Sequence, residues 1–156
     1  MMIVRKQDRK IWTPEEKRSW KPPEKITVSQ WADLFRYLNP ITSAEPGRWK
    51  TQRTSYLGGI MDAFTDPFVE EITVMAASQV GKTEAMFNML GFIIDQDPGP
   101  TLVVLPRESD AKSVSCNRVL PMIQGSYVLR QHLPRLSDDI TRLEYHLDRM
   151  TLYFAG

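Results

Sequence analysis

The sequence predicts an α/β fold built on a parallel sheet with flanking helices, and three observations carry that prediction. Two short apolar runs rich in β-branched residues, at 71–76 and 101–105, have the composition of buried strands. Between them, residues 83–96 repeat apolar side chains at helical spacing. A Gly-Lys-Thr tripeptide at 81–83 sits where the first strand would turn into that helix.

Taken in order, residues 1–28 are polar, charged and broken by Pro14, Pro22 and Pro23, and read as an arm with Trp12 and Trp20 as docking points. Ser29 is a plausible cap for a helix reaching Leu38, with Trp31, Leu34, Phe35 and Leu38 on one face; Asn39-Pro40 ends it. Residues 42–50 read as a loop, and a second helix is expected over 55–64, stopped by Asp66-Pro67. Residues 71–76 form the first strand and 77–81 a turn. The helix over 83–96 places Met86, Met89, Leu90 and Ile93 together, and Asp97-Pro98-Gly99-Pro100 halts it. The strand over 101–105 ends at Pro106, and Ser109 or Asp110 caps a helix to Val119 that Pro121 breaks or kinks. Strand, loop, helix, strand, helix is a βαβα order, which implies parallel strands joined by a right-handed crossover. The tail differs: 142–147 and 150–154 look like two strands of a hairpin around Asp148-Arg149. Met75, Met86, Met89 and Met122 fall at core-like positions.

Composition narrows the function classes. The 156 residues suffice for a domain with a core, and the net charge of +1 neither demands nor excludes nucleic acid. That charge is uneven, with +4 in residues 1–25 and −3 in the rest, so a basic arm precedes a mildly acidic body. Cys116 is the single cysteine, which rules out an intrachain disulfide and suits a reducing cytoplasm. No Cys/His cluster points to zinc, and His132 and His146 read as ordinary residues. There is no apolar signal-peptide core, and the apolar stretch at 85–94 is too short to span a bilayer.

The chemistry lies in Ala76-Ala77-Ser78-Gln79-Val80-Gly81-Lys82-Thr83. The phosphate-loop pattern is Gly, four residues, Gly-Lys, then Ser or Thr. Here Ala76 replaces the first glycine. Such a loop curls so that successive backbone N–H groups face phosphate oxygens. Gly81 allows close approach, Lys82 brings a point charge to the β- and γ-phosphates, and the Thr83 hydroxyl is a ligand for Mg²⁺. The following helix turns its positive dipole end toward the same oxygens. The tripeptide alone arises by chance in roughly one such chain in ten. Its position between an expected strand and a helix makes it specific, and ATP with Mg²⁺ is the expected ligand pair. Ser78, Gln79, Val80, Gly81, Lys82 and Thr83 form the candidate cradle. Trp49, Gln52 and Tyr56, a helix length upstream, are candidates for the base, by stacking or by an amide hydrogen bond. Glu84 reads as an acid favoured in a first helical turn. Arg107 sits where open α/β sheets place ligand loops, and Lys112 and Arg118 are candidate DNA-facing cations.

Several ordered blocks then resemble one family. Ser43-Ala44-Glu45-Pro46-Gly47-Arg48-Trp49, Ile60-Met61-Asp62-Ala63 and Val80-Gly81-Lys82-Thr83-Glu84 resemble the large terminase subunit of tailed bacteriophages, in the branch of phage lambda. Asp97-Pro98-Gly99-Pro100, Leu102-Val103-Val104, Asp110-Ala111-Lys112 and Leu120-Pro121-Met122-Ile123 follow in the same order. The resemblance spans about residues 29–156 and implies a P-loop NTPase fold of the ASCE type. It implies an ATPase that drives double-stranded DNA into a procapsid, followed by an RNase H-like nuclease. The implied partners are double-stranded DNA, the small terminase subunit, the portal protein of the procapsid and further copies of the chain, in the host bacterial cytoplasm. By the same analogy residues 1–45 form an arm that docks the small subunit, and 46–156 form the front of the ATPase domain. The acidic pair that ends an apolar strand and completes hydrolysis in the family is missing; Leu136-Ser137-Asp138-Asp139 has no apolar run before it. The expectation is a piece, with an incomplete sheet, that binds ATP without turning it over. A non-catalytic assembly module and a P-loop DNA helicase are the alternatives.

Overall fold

A computed structural model describes residue 13 and residues 25–40, 43, 45–135 and 139–156. Trp12, Trp20, most of the expected arm, Ser137 and Asp138 lie outside the described residues.

Helix α1 (Val28–Phe35) begins at Thr27 rather than Ser29. Thr27 and Gln30 form a reciprocal capping box, which satisfies two otherwise unpaired amides. Ser29 is instead held through its amide and hydroxyl by the Asp62 carboxylate, both at 2.9 Å. The helix stops at Phe35. Its buried face is Val28, Trp31 and Ala32, while Leu34 is 53% exposed. Leu38 lies beyond it in β1 (Tyr37–Leu38), which pairs antiparallel with β2 (Gly47–Arg48) inside the expected loop.

A 3₁₀ segment, Thr51–Leu57, kinked at Thr54, leads into α2 (Gly58–Ala63). The chain then runs without regular structure from residue 67 to residue 77. The expected strand at 71–76 is therefore not a strand. A β-branched run becomes one only when a sheet edge accepts its amides and carbonyls. No described strand pairs with this run, and Val74 and Met75 face solvent, Met75 almost completely.

Helix α3 (Lys82–Gln96) runs over the predicted range. Its buried residues include Phe87, Asn88, Leu90, Gly91 and Ile94, whereas Met86 is partly exposed. The helix packs on α1 where Gly91 meets Trp31, and its Met86 and Met89 line a cavity of about 800 Å³ shared with the 69–74 segment. Strand β3 (Thr101–Val104) forms as predicted but is half-buried on one side and exposed on the other, where Leu102 and Val104 point outward. Helix α4 (Glu108–Val114) passes through a π turn, Ser115–Val119, into α5 (Leu120–Gly125), followed by the short α6 (Tyr127–Arg130). Pro121 sits in the first turn of α5. The wider π turn before it accommodates a residue that has no amide to give and whose ring crowds the preceding turn.

The predicted hairpin exists as β4 (Glu144–His146) and β5 (Thr151–Ala155), with Tyr145 opposite Leu152. β5 is also the central strand, parallel to β3, so the sheet order is β3-β5-β4. The architecture is thus mixed α/β with a small mixed sheet. The parallel neighbour of β3 is the tail strand rather than the run at 71–76. The core is continuous from Trp31 and Phe87 through Ile123 and Leu129 to Tyr145, Leu152 and Phe154.

Candidate functional site

The loop at 76–81 enters α3 through two residues with positive φ: Gln79 at 62° and Gly81 at 83°. Gly81 occupies the N-cap position of α3, and its carbonyl accepts from the Ala85 amide at 3.0 Å. Glycine is required there twice over. The left-handed φ disfavours any side chain, and a Cβ would lie 3.1 Å from Leu57 Cδ1. Ala76, at the place of the motif's first glycine, has no positive φ, so this backbone path needs no glycine there.

Lys82 curls back over the loop, and its Nζ donates to the Ala77 carbonyl at 2.9 Å. The Tyr56 hydroxyl donates to the Val80 carbonyl at 2.9 Å, which pins the other side of the loop to the 3₁₀ segment. Ser78, Gln79, Lys82 and Thr83 are exposed; Val80 and Gly81 are half-buried. Lys82 and Thr83 stand on the wall of the 800 Å³ cavity. A backbone turn, a helix N-terminus, an ammonium and a hydroxyl therefore converge on one accessible spot, the combination that suits an anionic oxygen cluster.

Glu84 is more than an acid in a first turn. Its Oε2 takes a hydrogen bond from Arg36 at 3.1 Å and its Oε1 one from Arg118 at 2.8 Å. Arg36 is buried, and burial lowers its pKa against the opposing pull of the Glu84 charge. It donates as well to the Tyr37 carbonyl, while its own carbonyl accepts from the Trp49 amide. Arg118 lies over the Phe87 ring, 5.5 Å from its centroid. The carboxylate beside the loop thus ties three segments together. No local pattern signals this, because the partners are 48 and 34 positions away.

The three base candidates are placed differently. Trp49 is 7% exposed, with its indole N–H given to Thr51 Oγ1 at 3.0 Å. Gln52 is exposed, and Tyr56 is 59% exposed with its hydroxyl on the loop. Lys112 pairs with Glu108 one turn earlier in α4. Arg107 is exposed at the start of that helix.

No group of three or more His, Cys, Asp or Glu residues among those described could hold a metal ion. A hydroxyl such as that of Thr83 is still compatible with Mg²⁺. That ion keeps several waters and takes its other ligands from substrate phosphates.

The family model described as the ATPase domain of the phage terminase large subunit gpA matches residues 43–151. The chain belongs to this terminase family. Over 107 residues it is 29% identical to the terminase large subunit of Escherichia phage lambda. That stretch is 69% of this chain and 16% of the lambda protein, so the terminase-family chain spans a small part of its relative's length. No solved structure matches. The matched region contains the loop at 76–81, Lys82 and Thr83, the upstream Trp49, Gln52 and Tyr56, and the Glu84 ion group except Arg36.

Proposed function

We propose that this chain is the ATP-binding part of a viral DNA-packaging motor, with Mg²⁺-ATP held at residues 78–83. The observation that carries the reading is the arrangement at the start of α3: a left-handed Gly81 cap with Lys82 already folded over the loop. On binding, the Lys82 ammonium exchanges the Ala77 carbonyl for β- and γ-phosphate oxygens, the amides of 79–83 face the same oxygens, and the Thr83 hydroxyl joins the Mg²⁺ shell. In this reading the exposed Tyr56 ring and the Gln52 amide meet the base, and Trp49, whose amide donates to the Arg36 carbonyl, holds their segment.

Hydrolysis needs more than a phosphate cradle: a positioned water, a base and metal-holding carboxylates. Glu84 is committed to two arginines. Among the described residues that line the cavity the one carboxylate is Glu70, on the irregular segment. The chain is accordingly proposed to bind ATP without turnover by itself, and to work with double-stranded DNA, a small terminase subunit, a portal and further copies of the motor subunit in the host bacterial cytoplasm. The DNA-packaging role rests on the family.

The test is calorimetric titration of Mg²⁺-ATP into the chain and into Lys82→Ala, with phosphate release followed in the same samples. Loss of a charge-assisted contact predicts affinity weaker by roughly 10- to 100-fold in the variant. Absence of binding to the folded wild type sinks the reading, and turnover by the wild type sinks its non-catalytic part.

A further inference from the structure

The cavity beside the phosphate loop is lined mostly by apolar side chains, and four of its lining residues are polar or charged: Glu70, Lys82, Thr83 and Arg118. Lys82 and Thr83 belong to the loop. Arg118 does not. It lines the same space from the π turn between α4 and α5.

Three features of Arg118 make it more than a structural cation. Its side chain is 39% exposed, whereas that of Arg36, the other arginine on Glu84, is 4% exposed. One of its five N–H donors is engaged with Glu84 at 2.8 Å; a guanidinium has donors to spare for a second acceptor. Glu84 does not depend on it for neutralisation, because its other oxygen is held by the buried Arg36. The Phe87 face beneath the guanidinium supports a cation without fixing its direction. The side chain also springs from the π turn that precedes Pro121, a widened backbone that is frequent at functional sites.

We propose that Arg118 is a second phosphate-contacting cation of this site: with a nucleoside triphosphate bound, it turns from Glu84 Oε1 to the terminal phosphate, and Arg36 keeps Glu84 neutralised. A planar guanidinium meets phosphate oxygens two at a time, so it outcompetes a single bond to a carboxylate edge. The switch also has a mechanical consequence. Release of Arg118 loosens the tie between α3 and the α4–α5 helix, so the occupied loop and that helix are coupled through one side chain. The proposal rests on the phosphate-loop reading of residues 78–83.

The experiment titrates the full chain with ADP and with a non-hydrolysable ATP analogue, each with Mg²⁺, for wild type, Arg118→Gln, Arg118→Lys, Glu84→Gln and Lys82→Ala. Circular dichroism and thermal unfolding confirm that each variant is folded. The expected result is that Arg118→Gln weakens the triphosphate about 10-fold and leaves ADP within about 2-fold. Arg118→Lys recovers part of the loss, and Glu84→Gln, which frees Arg118, keeps or tightens triphosphate binding. Unchanged triphosphate affinity in Arg118→Gln overturns the proposal. So does an equal loss for both nucleotides reproduced by Glu84→Gln, since that is the signature of a tether. If the wild type binds neither nucleotide, the phosphate-loop reading itself has failed and the Arg118 role falls with it. Loss in Lys82→Ala with no selective loss in Arg118→Gln separates a sound loop from a wrong Arg118.

Discussion

Gln79 holds a left-handed φ of 62° in a loop whose other such residue is glycine. A side chain in that region costs about 1 kcal/mol, from Cβ crowding against the backbone. The loop keeps the strained geometry because its two flanks are tied, by Tyr56 on Val80 and by Lys82 on Ala77. Gln79→Gly is therefore expected to raise stability by up to about 1 kcal/mol in a urea titration, the gain being trimmed by the greater freedom glycine has when unfolded. A loss of stability would mean that the Gln79 side chain makes a contribution its exposed position does not suggest. Glu84 teaches a second lesson at this scale. Its place in the first turn of α3 satisfies a helix-dipole rule, yet its two hydrogen-bonded arginines set its main role.

Helix α3 crosses α1 at a point where no side chain fits. A Cβ on Gly91 would run into the Trp31 ring, and Trp31 cannot retreat: it is fully buried, and its indole N–H donates to Asp95 at 2.8 Å. Gly91→Ala is expected to destabilise the protein by about 1–3 kcal/mol despite alanine's better helix propensity, because overpacking exceeds that gain. Urea denaturation measures it; an unchanged or higher midpoint would show that the helices slide apart without cost. Elements were legible in the sequence to the degree that their signals are local. The α3 range, the hairpin at 144–155 and the β3 strand follow from periodicity, from Pro and Gly punctuation and from β-branched runs. The run at 71–76 carries the same β-branched signal and forms no strand, since a strand also needs a neighbouring edge that composition does not specify. Leu34 and Leu38 mislead in the same way: their spacing fits a helix face, but the packing partner of α1 lies against Val28, Trp31 and Ala32.

Across the whole molecule, two buried polar groups join distant layers. His132 stands between Asp148, 2.8 Å from Nδ1, and Arg149, whose guanidinium is 3.1 Å from Nε2. Nε2 also lies 3.4 Å from the Asp95 Oδ1 carboxylate oxygen. With the Arg149 bond to the Asp95 carbonyl, this arrangement ties the hairpin turn to the end of α3. A histidine that reads as ordinary in sequence is thus a junction of the fold. The second junction is Tyr145 of β4, whose hydroxyl donates to the Ser115 carbonyl at 2.9 Å and takes the Ser115 hydroxyl at 2.7 Å. Burial, partly offset by the Ser115 hydrogen bond, raises its pKa from 10.0 to about 12. Above pH 10 the unfolded chain loses this proton while the folded chain retains it, so this contribution to stability is intact below pH 10 and falls as pH rises toward 12. The melting temperature is expected to drop over that window more steeply in wild type than in Tyr145→Phe. At neutral pH the same variant loses about 1–2 kcal/mol, for the Ser115 groups left unpaired. Equal slopes for the two proteins would remove Tyr145 as the titrating group.

The residues proposed to hold phosphate, Gly81, Lys82 and Thr83, can be named from the chain alone because a phosphate loop is contiguous: its amides, charge and hydroxyl are neighbours in sequence and need only a helix behind them. The mixed α/β class is readable for a similar reason, since helical and strand periodicities are short-range. The parallel pairing of β3 with the tail strand, the solvent-facing run at 71–76, the buried position of Trp49 and the placing of Arg36 and Arg118 on one carboxylate are not readable in this way. Each depends on which surfaces meet. That choice is made by burying Trp31, Phe87, Tyr145 and their neighbours in one continuous core, a free-energy balance summed over residues that are far apart along the chain.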